Sequence, residues 1–567
     1  MTVLRTSNAP IGLDRGKPIT TENSLGWVAP SDWLTYTVPT ASEQKVIGTI
    51  AVFDQDSNYF AVNMTTTDGS QYTVDWGDGT TSDHNSGTTA EKNYTWSSIS
   101  SGTVTSEGYR QAIVTITPKI SGRTFSNVQT NRRHSALTAS NLYPSPWLSL
   151  SIAAPNATSI TLSGNGSTTV NPSYAQQIQI ISSNITSASS LFSGCYYLQD
   201  VVFNTSATLT STSSMFSNCR NLQVAPFFNT ASVTTMNSMF QTCRLLKFVP
   251  FYNTASATSM SAMFDNCSSL KTVPLFNTAS VTNMSSMFSN CPALESVPLF
   301  NTASVTTMGN MFFLSYGLKS IPLFNTASVT NMSNMLYQVN NLETIPAFNT
   351  ASVTTMDGMF RFTSGLVFLP ALNTANVTTV ANMFTASGSS GALLREITEL
   401  NLSGITSVAN NLLGLGSTSA TSAGQLTRAK ITGNKWTQSF QNCSMGATQL
   451  DEMYTSLATL NPAITNVSGN GTTVTVTVGT ANISPFVAGR SVTITGVNPV
   501  AYNISGTVAS VNTGAGTFTI TNAATGAYVS GGTATVTSDV IITVTGNPGT
   551  TSDNPAIATA KGWTVTG

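Results

Sequence analysis

The sequence predicts a mainly β chain with short helices: a solenoid of 24-residue repeats flanked by β-sandwich modules. Three observations carry this reading. Phe192, Phe216, Phe240, Phe264, Phe288, Phe312, Leu336, Phe360 and Phe384 stand 24 residues apart without a slip. A fixed period of that size marks stacked turns, none of which can bury its apolar face alone. On both sides of the repeats, apolar and polar residues alternate between Gly, Pro and Asn punctuation, as strands do. Finally, only 8% of the 567 residues are charged, far below the roughly 25% of an ordinary soluble domain. Thr, Ser, Asn and Gly take their place, a surface typical of β-rich extracellular or virion proteins. The formal net charge of -1 gives no basic stripe for nucleic acid. The cluster Arg132-Arg133 before His134 reads as a solvated loop.

In chain order, residues 1–45 hold Pro10, Pro18, Pro30 and Pro39 with Trp27 and Trp33. They read as an extended arm that docks on its own modules or on a neighbouring subunit. The opening MTVLRTSNAPIGLDRGKPITTENS lacks the apolar core of a secretory signal, and no run of about 18 apolar residues follows. Synthesis in the cytoplasm without membrane insertion is therefore expected.

Residues 46–120 contain YTVDWGDGTTSDHNSG, NYTW and RQAIVTITP. These strings resemble the PKD-like β-sandwich: a WGDG turn, a later aromatic at Tyr94, and a closing strand at Ile113 to Ile116. Asp75 and Asp78 flank Trp76-Gly77 and read as turn residues, with Gly supplying positive φ, ahead of a cation site or catalysis. The two histidines, His84 and His134, show no neighbouring motif that would build a nucleophile–base pair. Residues 121–182 read as a β-rich connector and an N-terminal cap for the repeats.

The solenoid is expected over 183–440, with a less regular turn at 401–413. One copy of the repeat reads PLFNTASVTNMSSMFSNC, from Pro274 to Cys291. Apolar Leu270, Val273 and Leu275 suggest a short strand. Val281, Met284, Met287, Phe288, Cys291 and Leu294 then follow helical spacing. Each turn is thus expected to be a strand, a corner at NTAS, and a short helical or 3₁₀ segment with Thr282 or Ser280 as N-cap. The recurring Asn of FNT reads as a ladder bonding backbone groups at the corner. Strands about 4.8 Å apart would make nine turns a rod of about 45 Å. Cys195, Cys219, Cys243, Cys267 and Cys291 form a column continued by Ser315, Val339 and Thr363. With no C-x-x-C spacing, the column reads as buried core, neither metal site nor disulfide framework.

FNTASVTNMSSMFSNCPALESVP resembles the BspA-like leucine-rich-repeat family in register, Met-Phe pair and Cys, over residues 183 to 413. It departs from that pattern in Asn after the corner Phe and in Pro274, Pro298 and Pro322. The resemblance implies a surface protein used in adhesion and brings no catalytic residues.

After the repeats, residues 441–466 and 540–567 read as a C-terminal cap. It contains a helix in TQLDEMYTSLATL and a short helix at Pro555 to Lys561. Residues 467–539 read as an inserted all-β module, whose pattern around VTITGV and YNISGTV is similar to small β-modules of bacteriophage structural proteins.

The expected function is a non-enzymatic bacteriophage virion protein, displayed on the particle surface after synthesis in the host cytoplasm. A tail fibre or tail-associated adhesin leads. A capsid decoration protein, a bacterial surface adhesin and a glycan-degrading tailspike are the alternatives. A tailspike needs paired carboxylates, and acids are sparse in the repeats: of Asp265, Glu295, Glu343 and Asp357, only Glu295 and Glu343 share a repeat position. No catalytic residue, metal or cofactor is expected. Expected partners are other virion proteins, reached through residues 1–45, further copies of the chain, and a host-surface glycan or protein. Contact residues for such a partner are sought where the repeats vary: Arg220, Arg244, Phe313, Tyr316, Tyr337, Arg361 and Phe362; the alternative, that they fill a wider core where Cys has been replaced, is the reading the sequence favours.

Overall fold

A computed structural model of the chain describes residues 28–54, 58–137, 146–162, 174–385, 393–402, 404–405, 426–432, 438–440, 443, 445–457, 460–480, 483, 485–536, 541–544 and 547–567. Trp27, the rest of the arm before it, and most of the irregular turn at 401–413 lie outside the described residues. The molecule divides into two compact units, residues 1–300 and 301–567.

The first unit opens with a sandwich. Strands β1 (Lys45–Val52), β2 (Asn58–Thr66), β3 (Tyr72–Asp75), β4 (Thr81–His84), β5 (Thr89–Tyr94), β6 (Arg110–Pro118), β7 (Phe125–Gln129), β8 (Trp147–Ala153) and β9 (Ser159–Thr161) lead to β10 (Gln177–Ser182) and β11 (Asp200–Phe203). One sheet runs β11-β10-β8-β1-β6-β3-β4 and the other β5-β2-β7-β9. Their inner faces meet at Phe60, whose ring stands edge-on to Trp147 with centroids 5.0 Å apart. Gly48 makes room for that Trp, since a Cβ there would lie 2.8 Å from its ring. The arm docks onto this unit: Trp33 is buried and its Nε1 donates to Tyr109 Oη at 2.9 Å.

The described part of the segment expected as a β-rich connector and N-terminal cap, 121–182, lies within these two sheets. β7 pairs with β2 inside the sandwich, and β8 pairs antiparallel with β1 on one side and parallel with β10 on the other. The sandwich sheet therefore becomes the first repeat turns without a break.

Within each turn the core columns are as regular as the sequence. In the first unit the rings of Phe192, Phe216, Phe240, Phe264 and Phe288 stack nearly parallel, with centroids 5.0 to 5.7 Å apart. Two expectations fail. The segment after the corner is a ribbon of successive turns, not a helix. Met239 N donates to Met236 O and Gln241 N to Ser238 O, whereas Ser238 N and Phe240 N reach Ser261 O and Met263 O of the next turn. Half the amides thus bond locally and half bond between turns, which a helix, holding every bond in its own axis, cannot do. The ribbon needs a left-handed residue at two fixed places. One column is Ser190, Ser214, Ser238, Ala262 and Ser286, with φ of 53–57°. The other is Gly194, Asn218, Thr242, Asn266 and Asn290. There is no helix here for Thr282 to cap; its hydroxyl donates to Thr258 O of the preceding turn.

The second failure is Leu275, expected in the core but 56% exposed, while Phe276 beside it is buried. Proline explains the shift. It cannot donate to a ladder and ends the strand, and the chain then turns sharply. At the equivalent place Phe300 N donates to Pro298 O at 2.9 Å, a three-residue turn that throws Leu299 outward.

The corner Asn works within its own turn: Oδ1 of Asn229, Asn253 and Asn277 accepts from the amide two residues on, at 3.0–3.2 Å. The neighbouring buried Thr makes the rung-to-rung ladder, with Thr230 and Thr254 Oγ1 donating to Asn253 and Asn277 O.

The second unit repeats the scheme at Phe312, Leu336, Phe360 and Phe384, with buried Ser315, Val339 and Thr363 in the Cys column. A parallel sheet of β12 (Phe368–Leu369), β13 (Glu396–Asn401) and β14 (Arg428–Thr432) follows. A helix spans Ala447–Ser456. Seven strands between Asn466 and Val536 form one antiparallel sheet. The chain then returns at Ile541–Thr543 to pair in parallel with Gln438–Ser439 and Thr564–Thr566.

Candidate functional site

The residues singled out by repeat variability fall into two groups, one in each unit. In the first unit the Arg220 guanidinium lies 4.2 Å from the centre of the Tyr196 ring, and Arg244 is exposed. In the second unit Phe313 and Tyr337 stack with centroids 4.5 Å apart, and Phe362 meets Tyr337 edge-on at 5.3 Å. The Arg361 guanidinium lies 4.9 Å from the Phe362 ring centre and 5.8 Å from that of Tyr337. These four residues are half-buried, and Tyr316 is 40% exposed. They do not fill the core where Cys is replaced, because Ser315, Val339 and Thr363 already do.

Backbone geometry presents this edge. Leu314, Gln338 and Phe362 occupy the left-handed column at φ 59°, 56° and 59°, a region costly for a bulky side chain. The arginine side chains of the edge make no hydrogen bond or ion pair with any described residue, and the Nε of both Arg220 and Arg361 is buried without a partner. Cationic donors set among aromatic faces suit a partner offering carboxylates, hydroxyls or carbonyls.

Sequence reasoning missed another surface. Phe227, Phe251, Leu275 and Leu299 recur every 24 residues and are 75%, 62%, 56% and 61% exposed. Phe248 adds a fifth large residue at 56%. The signal was legible: the next position holds Phe228, Tyr252, Phe276 and Phe300, all large and buried, while the exposed one shrinks to Ala347 and Ala371 in the second unit. Near the one lengthened corner of the first unit, Asn204, Thr205, Leu209, Phe228, Asn229 and Ser232 line a cleft of about 240 Å³.

The WGDG segment is a turn held by its own acids. Asp75 and Asp78 accept from Gly77 N and Thr80 N at 3.0 and 3.1 Å, with Gly77 and Gly79 left-handed. Burial works against ionising Asp78, yet the Lys92 ammonium at 2.6 Å and the Thr80 hydroxyl outweigh it and hold the carboxyl below its usual range. The expectation that neither histidine has a nucleophile beside it fails for His84, whose Nε2 is 2.8 Å from Ser82 Oγ. The two share a strand face at a spacing of two residues. Burial pushes the imidazole below its ordinary value. Trp76 Nε1 donates to the same Ser82 oxygen, and Asp83 is engaged by Thr73 and Lys119. The arrangement clamps the edge hairpin.

The thiols of Cys219, Cys243, Cys267 and Cys291 each donate to a Phe carbonyl of the preceding turn at 3.1 Å. This is why the column accepts Thr363, whose hydroxyl makes the same bond to Leu336 O. Burial pushes these thiols well above their usual value. Among the described residues no group of His, Cys, Asp and Glu could hold a metal ion, and no helix is long and apolar enough to cross a membrane.

The model of a family described as "Mycoplasma protein of unknown function, DUF285" matches residues 172–273, 210–320 and 315–420. No curated protein matches. Among solved structures, a leucine rich cell surface protein from Faecalibacterium prausnitzii is similar at 15% identity. The match covers 55% of this chain and 91% of that one, with a TM-score of 0.29. A TLR13 chain solved with ssRNA13 is similar at 16% identity, covering 50% of this chain and 44% of that one, with a TM-score of 0.18. A plant peptide hormone receptor, RGFR1 with RGF2, stands at 11%, 54%, 63% and 0.19 in the same order. The repeat turns resemble those of leucine-rich-repeat proteins, and the family match covers residues within 172–420.

Proposed function

We propose that this chain is a non-enzymatic bacteriophage virion protein, displayed on the particle surface, that attaches the particle to a host-surface glycan or protein through the edge of its repeat turns. A tail fibre or tail-associated adhesin is the role this reading favours. The observation that carries it is the cluster of Phe313, Tyr337, Arg361 and Phe362, aromatic and cationic groups held at a half-exposed edge while the core columns beneath stay regular. The hydroxyl- and amide-rich composition and the serial β modules support display on a particle rather than catalysis.

The test is competition. Pre-incubating host cells with purified chain should slow particle adsorption about tenfold, and the triple variant Tyr337→Ala/Arg361→Ala/Phe362→Ala should lose that effect at an unchanged melting temperature. Absence of competition, with the chain located on the capsid lattice by electron microscopy, would replace attachment by decoration. Release of sugar from host glycan by the purified chain would overturn the non-enzymatic reading.

A further inference from the structure

The exposed apolar stripe of the first unit lies on the extended side of the turns, away from the ribbon that carries the variable residues. Extended segments of successive turns are hydrogen-bonded in register there: Ala225 N donates to Phe248 O at 3.0 Å, and Phe248 N to Gln223 O at 3.2 Å. Phe227, Phe251, Leu275 and Leu299 therefore form a straight file, with Phe248 beside it. Five such residues expose roughly 600 Å² together, the top of the range for the largest patch on a monomer. That is most of the ~800 Å² that each partner contributes to a standard interface.

The stripe has unlike flanks. Gln223, Lys247, Lys271 and Glu295 lie on one side, each four residues before a stripe residue, and both lysines are exposed. Asn229, Asn253 and Asn277 lie on the other side, two residues after. Their Oδ1 atoms are used by the corner turn, and no described residue takes the amide hydrogens.

We propose that this stripe is a self-association surface on which a second copy of the chain docks face to face about a two-fold axis parallel to the file. In that arrangement each copy lays its own stripe on the same stripe of its partner, as an isologous contact requires. It also sets each Lys flank against the partner's Asn flank. The antiparallel alternative would stack lysine on lysine, a like-charge contact that costs affinity. The interface is independent of the attachment edge, so the two readings fail separately.

Sedimentation velocity on the full chain from 0.1 to 100 µM tests the proposal. A dimer is expected in the low micromolar range. Phe251→Asp/Leu275→Asp should raise its dissociation constant at least 100-fold while melting stays within a few degrees of wild type, because both side chains are exposed. Asn253→Asp/Asn277→Asp keeps the corner acceptor and should tighten the dimer three- to tenfold at low salt. Adding Lys247→Glu/Lys271→Glu should erase that gain. A chain monomeric at 100 µM overturns the proposal, as does a dimer indifferent to the stripe variants. A monomer that is retarded on immobilised polysaccharide through Phe251 would assign the stripe to a glycan and equally overturn it. Indifference to the Asn→Asp change overturns the parallel arrangement.

Discussion

The repeat turns of the two units share a core but exchange their surfaces. In the first unit the position after the Met-Phe pair is Ser193, Ser217, Gln241, Asp265 and Ser289, small or polar, while the extended side carries Phe227, Phe251, Leu275 and Leu299. In the second unit the same ribbon position is Phe313, Tyr337 and Arg361, and the extended side dwindles from Leu323 to Ala347 and Ala371. Bulk moves from one side of the turn to the other, while the buried Val, Met and Leu columns run through both units with few exceptions, such as Ala257 and Val380. A period fixes what lies inside. Within one framework, bulk outside is free to be spent on two different contacts.

The largest effect should come from the shared core. Phe240→Ala in the first unit and Phe360→Ala in the second should each cost about 3–5 kcal/mol in urea unfolding. Tyr337→Ala, at the half-exposed edge, should cost under about 1 kcal/mol. Equal losses at Phe360 and Tyr337 would mean that the edge is core after all.

Alkaline pH separates the units next. Burial raises the thiols of Cys219, Cys243, Cys267 and Cys291 well above their ordinary value, so the folded state favours the protonated form. That stabilisation is complete below pH 9 and is lost as pH rises toward the folded values. Melting temperature should fall from pH 9 to 11, and Cys243→Ser/Cys267→Ser should flatten the decline. In the native state at pH 8 a maleimide should label neither these thiols nor Cys443, whose thiol burial raises to about 12. Prompt labelling of the column would contradict its burial.

Smaller effects test the corner and the ribbon. Thr254→Val removes the buried hydroxyl bond to Asn277 O and should cost about 1–2 kcal/mol, and Thr326→Val, which loses the bond to Asn349 O, should match it. Leu314→Gly should stabilise by up to about 1 kcal/mol, since glycine accepts the left-handed φ of 59° freely. A loss there would show that the Leu314 side chain contributes packing that outweighs its backbone strain.

The fold class was legible because a 24-residue register leaves few ways to stack Phe216 on Phe240. The ribbon was not, because Val281, Met284, Met287 and Phe288 follow helical spacing whether they lie on a helix or on turns that repeat every four residues. Only the backbone separates the two, and Ser286 and Asn290 at positive φ do not advertise it as Gly would. The stripe was misread for a related reason. Two-residue alternation places Leu275 with Val273, but Pro274 ends the strand between them and Phe276 takes the buried place. The variable edge was legible as variability, yet the ring contacts among Phe313, Tyr337 and Phe362 depend on left-handed geometry that no spacing rule supplies.

The strand shared by sandwich and solenoid has one more consequence. An exposed edge on a parallel stack is an invitation to add another strand, and stacks with open ends grow into filaments. Here β8 occupies the outer edge of β10, and β1 occupies the outer edge of β8. The first turn is closed to end-on polymerisation by strands of its own chain. At this end of the stack only the sides of the turns remain open to another copy.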